Sequence, residues 1–165
     1  MQFAVGNLAE TVERVLRNTG LDPARLELEI TESVLIQDPA LALKVFSRLR
    51  AFGVQIVLDD FGIGYSSLSY FREFPFDKIK IDRSFVADML DSRQARSIVQ
   101  AMISLARGLD LQVVAEGVET HQQLAQLTQL GCTQAQGYLF GRPMPNSHFS
   151  GSEIATHQQP VGMPG

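Results

Sequence analysis

Apolar and polar residues follow two periods along this chain, and the switches between them divide it into short elements. Residues 26–31, LELEIT, alternate with a period of two and predict a strand. Residues 54–60 form an apolar run closed by two aspartates and predict a second. Residues 78–82 (KIKID) and 112–116 (QVVAE) predict a third and fourth, and 134–138 a weaker fifth. Helical spacing fills the intervals. Asn7, with Glu10 three residues on, marks a helix start, and Gly20 its end. Asp38-Pro39 opens a second helix, with Val45, Phe46, Leu49 and Phe52 as its buried stripe and Gly53 as its stop. A short helix is predicted near 67–73, and a longer one over 92–107 stopped by Gly108. Thr120 and Gln123 form a capping box for a last helix ending at Gly131. From residue 146 the chain is polar and aperiodic, with glycine and proline, and predicts a disordered tail.

About five strands, each joined to the next by a helical crossover, predict a parallel α/β architecture. In such folds the C-terminal ends of the strands carry the active site. At 165 residues, 45% hydrophobic and 19% charged, the chain has the size and composition of one globular domain. A net charge of -4 with no basic block argues against a polymeric nucleic-acid partner. The apolar runs are too short to span a bilayer, and no secretory signal opens the chain. The lone Cys132 excludes an internal disulfide, fits a reducing compartment and reads as a small buried hydrophobe.

Strand alternation then sorts the polar residues by face. Glu27, Glu29 and Thr31 share one face; Asp59 shares that of Val57; Lys78, Lys80 and Asp82 share another; Glu116 follows Val114. If these faces converge, Glu29, Asp59, Asp60, Lys80 and Glu116 meet at one end of the sheet. Four carboxylates and one ammonium in a partly dry site repel one another unless hard divalent cations lie between them. Two such ions could activate a water for attack on phosphorus, with Lys80 holding that water or the phosphoryl oxygens. Each residue also has a plainer reading. Glu29 could be the wet face of an edge strand, Asp59 and Asp60 a cap and turn, Lys80 a snorkelling side chain, and Glu116 a turn residue before Gly117. His121, His148 and His157 lack metal-ligand spacing and read as surface residues.

The segments LELEITES, VLDDFGIGYSSL, DKIKIDRSFV, VVAEGVET and QAQGYLFGRPM, in this order and spacing, resemble the EAL domain. The resemblance implies a bacterial, cytoplasmic phosphodiesterase hydrolysing cyclic di-GMP to linear pGpG with two Mg²⁺ or Mn²⁺ ions. By motif it implies metal-holding roles for Glu29, Asp59, Asp60 and Glu116, with Asp59 bridging the ions, and a water-engaging role for Lys80. Gln136 falls at the family's active-site glutamine. Glu32 would steady the loop after Asp60, Glu119 belongs to a motif tied to the same site, and Gly62, Gly64 and Ser66 lie in that loop, which is linked to dimerisation. Ile63 stands where the family has threonine or a small residue.

The family's E-x-L-x-R motif, which supplies a metal-ligand glutamate and a substrate-binding arginine, does not occur in this chain, nor does its N-L-S strand. The resemblance therefore implies a partial TIM-type (β/α) barrel with about five of eight strands. Residues 1–145 would be an incomplete EAL domain and 146–165 a tail. Two functions follow. One is a phosphodiesterase domain with little or no activity as this chain alone. The other is a non-catalytic cyclic di-GMP receptor or interaction module, completed by a second copy or by the missing N-terminal part across its open strand edges. A weaker third reading is an unrelated metal-dependent barrel enzyme, such as a lyase using Lys80 as base.

Overall fold

The computed structural model describes residues 7–62 and 69–144. Within them run α1 (Leu8–Thr19), a 3-10 turn (Pro23–Arg25), β1 (Glu27–Thr31), α2 (Glu32–Gln37), α3 (Pro39–Phe52), β2 (Gln55–Phe61) and α4 (Tyr70–Glu73). There follow β3 (Lys78–Ile81), α5 (Arg83–Asp88), α6 (Arg93–Gly108), β4 (Gln112–Ala115), α7 (His121–Leu130) and β5 (Gln134–Ala135). The strands form one sheet in the order β1-β2-β3-β4-β5. This is the run of successive parallel strands and helical crossovers found in a (β/α) barrel, with five of the eight strands. Two compact units divide within β3, Met1–Ile79 and Lys80–Gly165.

In the first unit β1 pairs with β2 in parallel, from Glu27 opposite Gln55 to Thr31 opposite Asp59. Asp38 caps α3 by accepting from the Leu41 N–H at 3.0 Å, and proline follows in the first turn, as the sequence predicts. Val45, Phe46 and Leu49 of α3 are buried; Phe52 is only half-buried and carries the Arg17 guanidinium 5.5 Å above its ring. The fully buried Ile56 and Val57 put the middle of β2 in the core. Asp77 fastens the start of β3 to β2. Its carboxylate accepts from the Ile56 N–H at 2.9 Å and from Arg50 Nε at 3.0 Å.

In the second unit Ser92 caps α6, and Arg96 ties that helix to the end of α5 by donating to the Met89 and Leu90 carbonyls. The predicted capping box of α7 is made on both sides. Val113, Val114 and Ala115 of β4 are buried, as are Val99, Ile103 and Ala106 of α6.

Several boundaries depart from the sequence reading. Asn7 precedes α1, but its side chain makes no capping hydrogen bond. Gly108 is the last helical residue of α6 rather than its stop; the left-handed turn comes at Asp110, with φ 56°. The fifth strand is two residues long. Asp82 leaves β3 and caps α5, accepting from the Ser84 N–H at 2.8 Å and from its hydroxyl at 2.5 Å. The short helices α2 and α5 have no counterpart in the sequence reading, because six residues hold less than two turns of apolar periodicity. The tail at 146–165, with His148 and His157, lies outside the described residues.

Candidate active site at the strand ends

In the first unit, β1 and β2 present carboxylates toward their C-terminal ends. Glu29 is exposed on β1, two residues before Thr31, the partner of Asp59 in register. Asp59 is half-buried, and its carboxylate accepts from the Asp60 N–H at 3.0 Å. Asp60 is left-handed, with φ 55°. Aspartate tolerates that conformation better than most residues, and it interrupts the alternation that would send neighbours to opposite faces of an extended strand. Gly62, at φ 100°, continues the turn where a side chain would be strained. Glu32 opens α2 and is buried, 8% exposed. Gly64 and Ser66 fall outside the described residues.

The second unit holds a tighter arrangement. Lys80 Nζ stands 2.6 Å from Glu116 Oε1, the two side chains being 8% and 21% exposed. The snorkelling reading of Lys80 is thus overturned, since its side chain is buried and its ammonium meets the Glu116 carboxylate instead of solvent. The backbone of Glu116 is fixed by donating to the Ile81 carbonyl at 3.0 Å. Beyond it the loops after β4 and β5 are laced together. The Gln136 N–H donates to Ala115, the Val118 N–H to Gln136 and the Leu139 N–H to Val118. Gly137 permits this approach, because a Cβ there would stand 2.2 Å from the Val118 carbonyl oxygen. Between the loops lies a pocket of about 220 Å³, lined among others by Arg83, Glu116, Glu119 and Gln136. Glu119 is exposed, and its N–H donates to Gln123 Oε1 of the capping box at 2.8 Å.

Alternation puts Lys78 on the face of Lys80 and names no partner for it. It is 2% exposed and 2.6 Å from Glu27 Oε1, so the buried Lys78 and the half-buried Glu27 form a second ion pair. The signal available in sequence was the unusual KIK strand, with two cations on one face. Arg83, which lines the pocket, was not singled out by the sequence reading.

The candidate metal ligands Glu29, Asp59, Asp60 and Glu116 offer only carboxylate oxygens. That donor chemistry fits a hard divalent cation and not a thiophilic one. Among the described residues no three His, Cys, Asp or Glu side chains are already grouped as a ready cation site.

Parallel strands with helical crossovers define an α/β protein of partial-barrel type, with ionisable side chains toward the C-terminal ends of its strands, the edge at which such folds carry their sites. Residues 1–143 match the sequence profile of the EAL domain, and the chain belongs to that family. The cyclic di-GMP phosphodiesterase RocR of Pseudomonas aeruginosa is 45% identical over 142 residues, covering 86% of this chain and 36% of RocR. A structure of the MucR phosphodiesterase in complex with c-di-GMP superposes with a TM-score of 0.82 at 44% identity, covering 87% of this chain and 58% of that one. The manganese and c-di-GMP complex of Klebsiella pneumoniae BlrP1 gives 0.76 at 37% identity, covering 81% and 34%. The chain spans only 17% to 21% of the length of several longer curated relatives. No helix among the described residues is long and apolar enough to cross a membrane.

Proposed function

We propose that residues 1–145 are the C-terminal portion of an EAL-type cyclic di-GMP phosphodiesterase domain, which hydrolyses cyclic di-GMP to linear pGpG in the bacterial cytoplasm. The observation that carries the reading is the buried Lys80–Glu116 pair at 2.6 Å, at the strand ends of a chain 45% identical to RocR over 142 residues.

In the proposed reaction water adds to phosphorus, one phosphodiester P–O bond breaks, and the leaving sugar oxygen takes a proton. When bound, two Mg²⁺ or Mn²⁺ ions would acidify that water and screen the phosphate charge. Glu29, Asp59, Asp60 and Glu116 are the residues proposed to hold them. Lys80 donates to the attacking water or to a phosphoryl oxygen, and Glu116 fixes the ammonium so that little reorganisation accompanies the reaction. Gln136 and Glu119 line the adjoining pocket and orient the substrate. Glu32, Gly62, Gly64 and Ser66 support the loop after Asp60.

The E-x-L-x-R glutamate and arginine do not occur here, so the chain alone is expected to release little or no pGpG with Mn²⁺. Release measured by chromatography at a rate near that of an intact homologue would overturn this.

A receptor or interaction module is the second reading. It is favoured by the outer positions of β1 and β5 in the sheet order. An apolar groove of about 620 Å³ beside β1, lined by Val12, Val15, Leu16, Leu21 and Leu26 among others, points the same way. A second copy of the chain, pairing through these strand edges, would cover both. Retained cyclic di-GMP affinity, with no turnover even when a fragment bearing the E-x-L-x-R strand of an active homologue is supplied in trans, would select this reading.

A further inference from the structure

We propose that Arg83 binds a phosphate group of the ligand in the second unit's pocket, an inference that rests on the cyclic di-GMP reading above. Arg83 is the first residue of α5, directly after the capping Asp82. Its base is seated against the β4 loop: a Cβ added to Gly117 would stand 2.5 Å from Arg83 Cβ and 3.3 Å from its Cα. Gly117, at φ 67°, is therefore doubly constrained, by its own backbone and by the residue packed on it. The arginine consequently starts from a defined place on the pocket wall.

The charge around it is unbalanced. The pocket's other ionisable liners include the carboxylates of Glu116 and Glu119, and Glu116 already faces Lys80. Arg83 itself is exposed, and among the described residues its guanidinium makes no ion pair or side-chain hydrogen bond. Five N–H donors in a planar fork thus border an acid-lined cavity of about 220 Å³. An anionic ligand entering there meets carboxylate repulsion unless a cation receives it. A guanidinium matches two phosphoryl oxygens in bidentate fashion, whereas the Lys80 ammonium acts as a point charge.

The test is an NMR titration of the full chain, observing the Arg83 side-chain Nε–H assigned through the Arg83→Met variant. Cyclic di-GMP, 5′-GMP, inorganic phosphate and guanosine are added in separate arms, with Mn²⁺ replaced by diamagnetic Mg²⁺. The expected result is a shift of the Arg83 signal with the three phosphate-bearing probes and none with guanosine. Arg83→Met should weaken cyclic di-GMP binding about tenfold, and Arg83→Lys should recover part of it. Melting curves confirm that the variants fold. Cyclic di-GMP binding unchanged in Arg83→Met overturns the inference while leaving the phosphodiesterase reading intact. A response to phosphate and GMP without cyclic di-GMP binding supports the phosphate contact but overturns that reading. A response to guanosine alone, or to none of the probes, overturns the inference.

Discussion

Lys78 and Glu27 show how far a single residue's role depends on a partner remote in sequence. Lys78 is almost wholly buried, and its charge is tolerated because Glu27 Oε1 lies 2.6 Å away. Removing one member leaves the other charge desolvated, which costs more than the pair itself contributes. Glu27→Ala is expected to lower stability by about 2–3 kcal/mol, the figure reduced because Glu27 retains some solvent contact. The double change Glu27→Leu with Lys78→Met should recover most of that loss. Urea unfolding of the two variants decides it, and a double variant no better than the single would show that the ion pair is not the source. Alternation put both lysines of KIK on one face. It could not name their partners, because Glu27 is 51 residues from Lys78 and the pairing is fixed only when β1 and β3 take their places about β2. The chemistry of the strand ends and the family resemblance both give Lys80 a role at the reacting water, but its Glu116 contact is likewise a product of tertiary packing.

At the scale of the element, punctuation was legible and short helices were not. Asp38 before α3 and Thr120 before α7 cap as read, because an N-cap depends on chemistry within three residues. Asp82 was read as the end of β3, yet it caps α5. A strand ending and a helix beginning on adjacent residues leave no loop composition to mark the change. This cap has a pH signature. Burial pushes the Asp82 carboxyl up, but the hydrogen bonds from Ser84, with help from Arg83, outweigh it and hold the group below the ordinary aspartate value. A depressed folded value means stabilisation that is fully present above the unfolded value, near pH 4, and is lost as pH falls through the folded one. Wild type should therefore exceed Asp82→Asn in urea midpoint at pH 7, and the gap should shrink as the buffer is taken below about pH 4. A gap independent of pH would assign the difference to amide geometry instead of charge.

For the molecule as a whole, the repeat of strand and crossover carried the fold class, because five recurrences of one rhythm outweigh an error at any single boundary. The carboxylates at strand ends were legible for the same reason: the end of a strand is marked by its apolar run. What the rhythm could not provide was the contents of the pocket beside Glu116. That pocket depends on Gly117 and Gly137 permitting close approaches that only the folded backbone reveals. Cys132, just after α7, was read as a buried hydrophobe, and it offers a reporter on this packing. It is 3% exposed, with Sγ 3.2 Å from the Gln134 carbonyl oxygen. Burial pushes its thiol up to about 11 despite backbone hydrogen bonds acting the other way. At pH 8 the folded chain then offers neither thiolate nor access, and both are needed for disulfide exchange. Ellman's reagent should label the native chain slowly, at a rate that rises with urea in step with unfolding and reaches one thiol per chain once unfolded. Rapid stoichiometric labelling in plain buffer would mean that the β4–β5 region opens on its own, and the pocket built on its two loops would then be too loose to hold Glu116 and Gln136 in place.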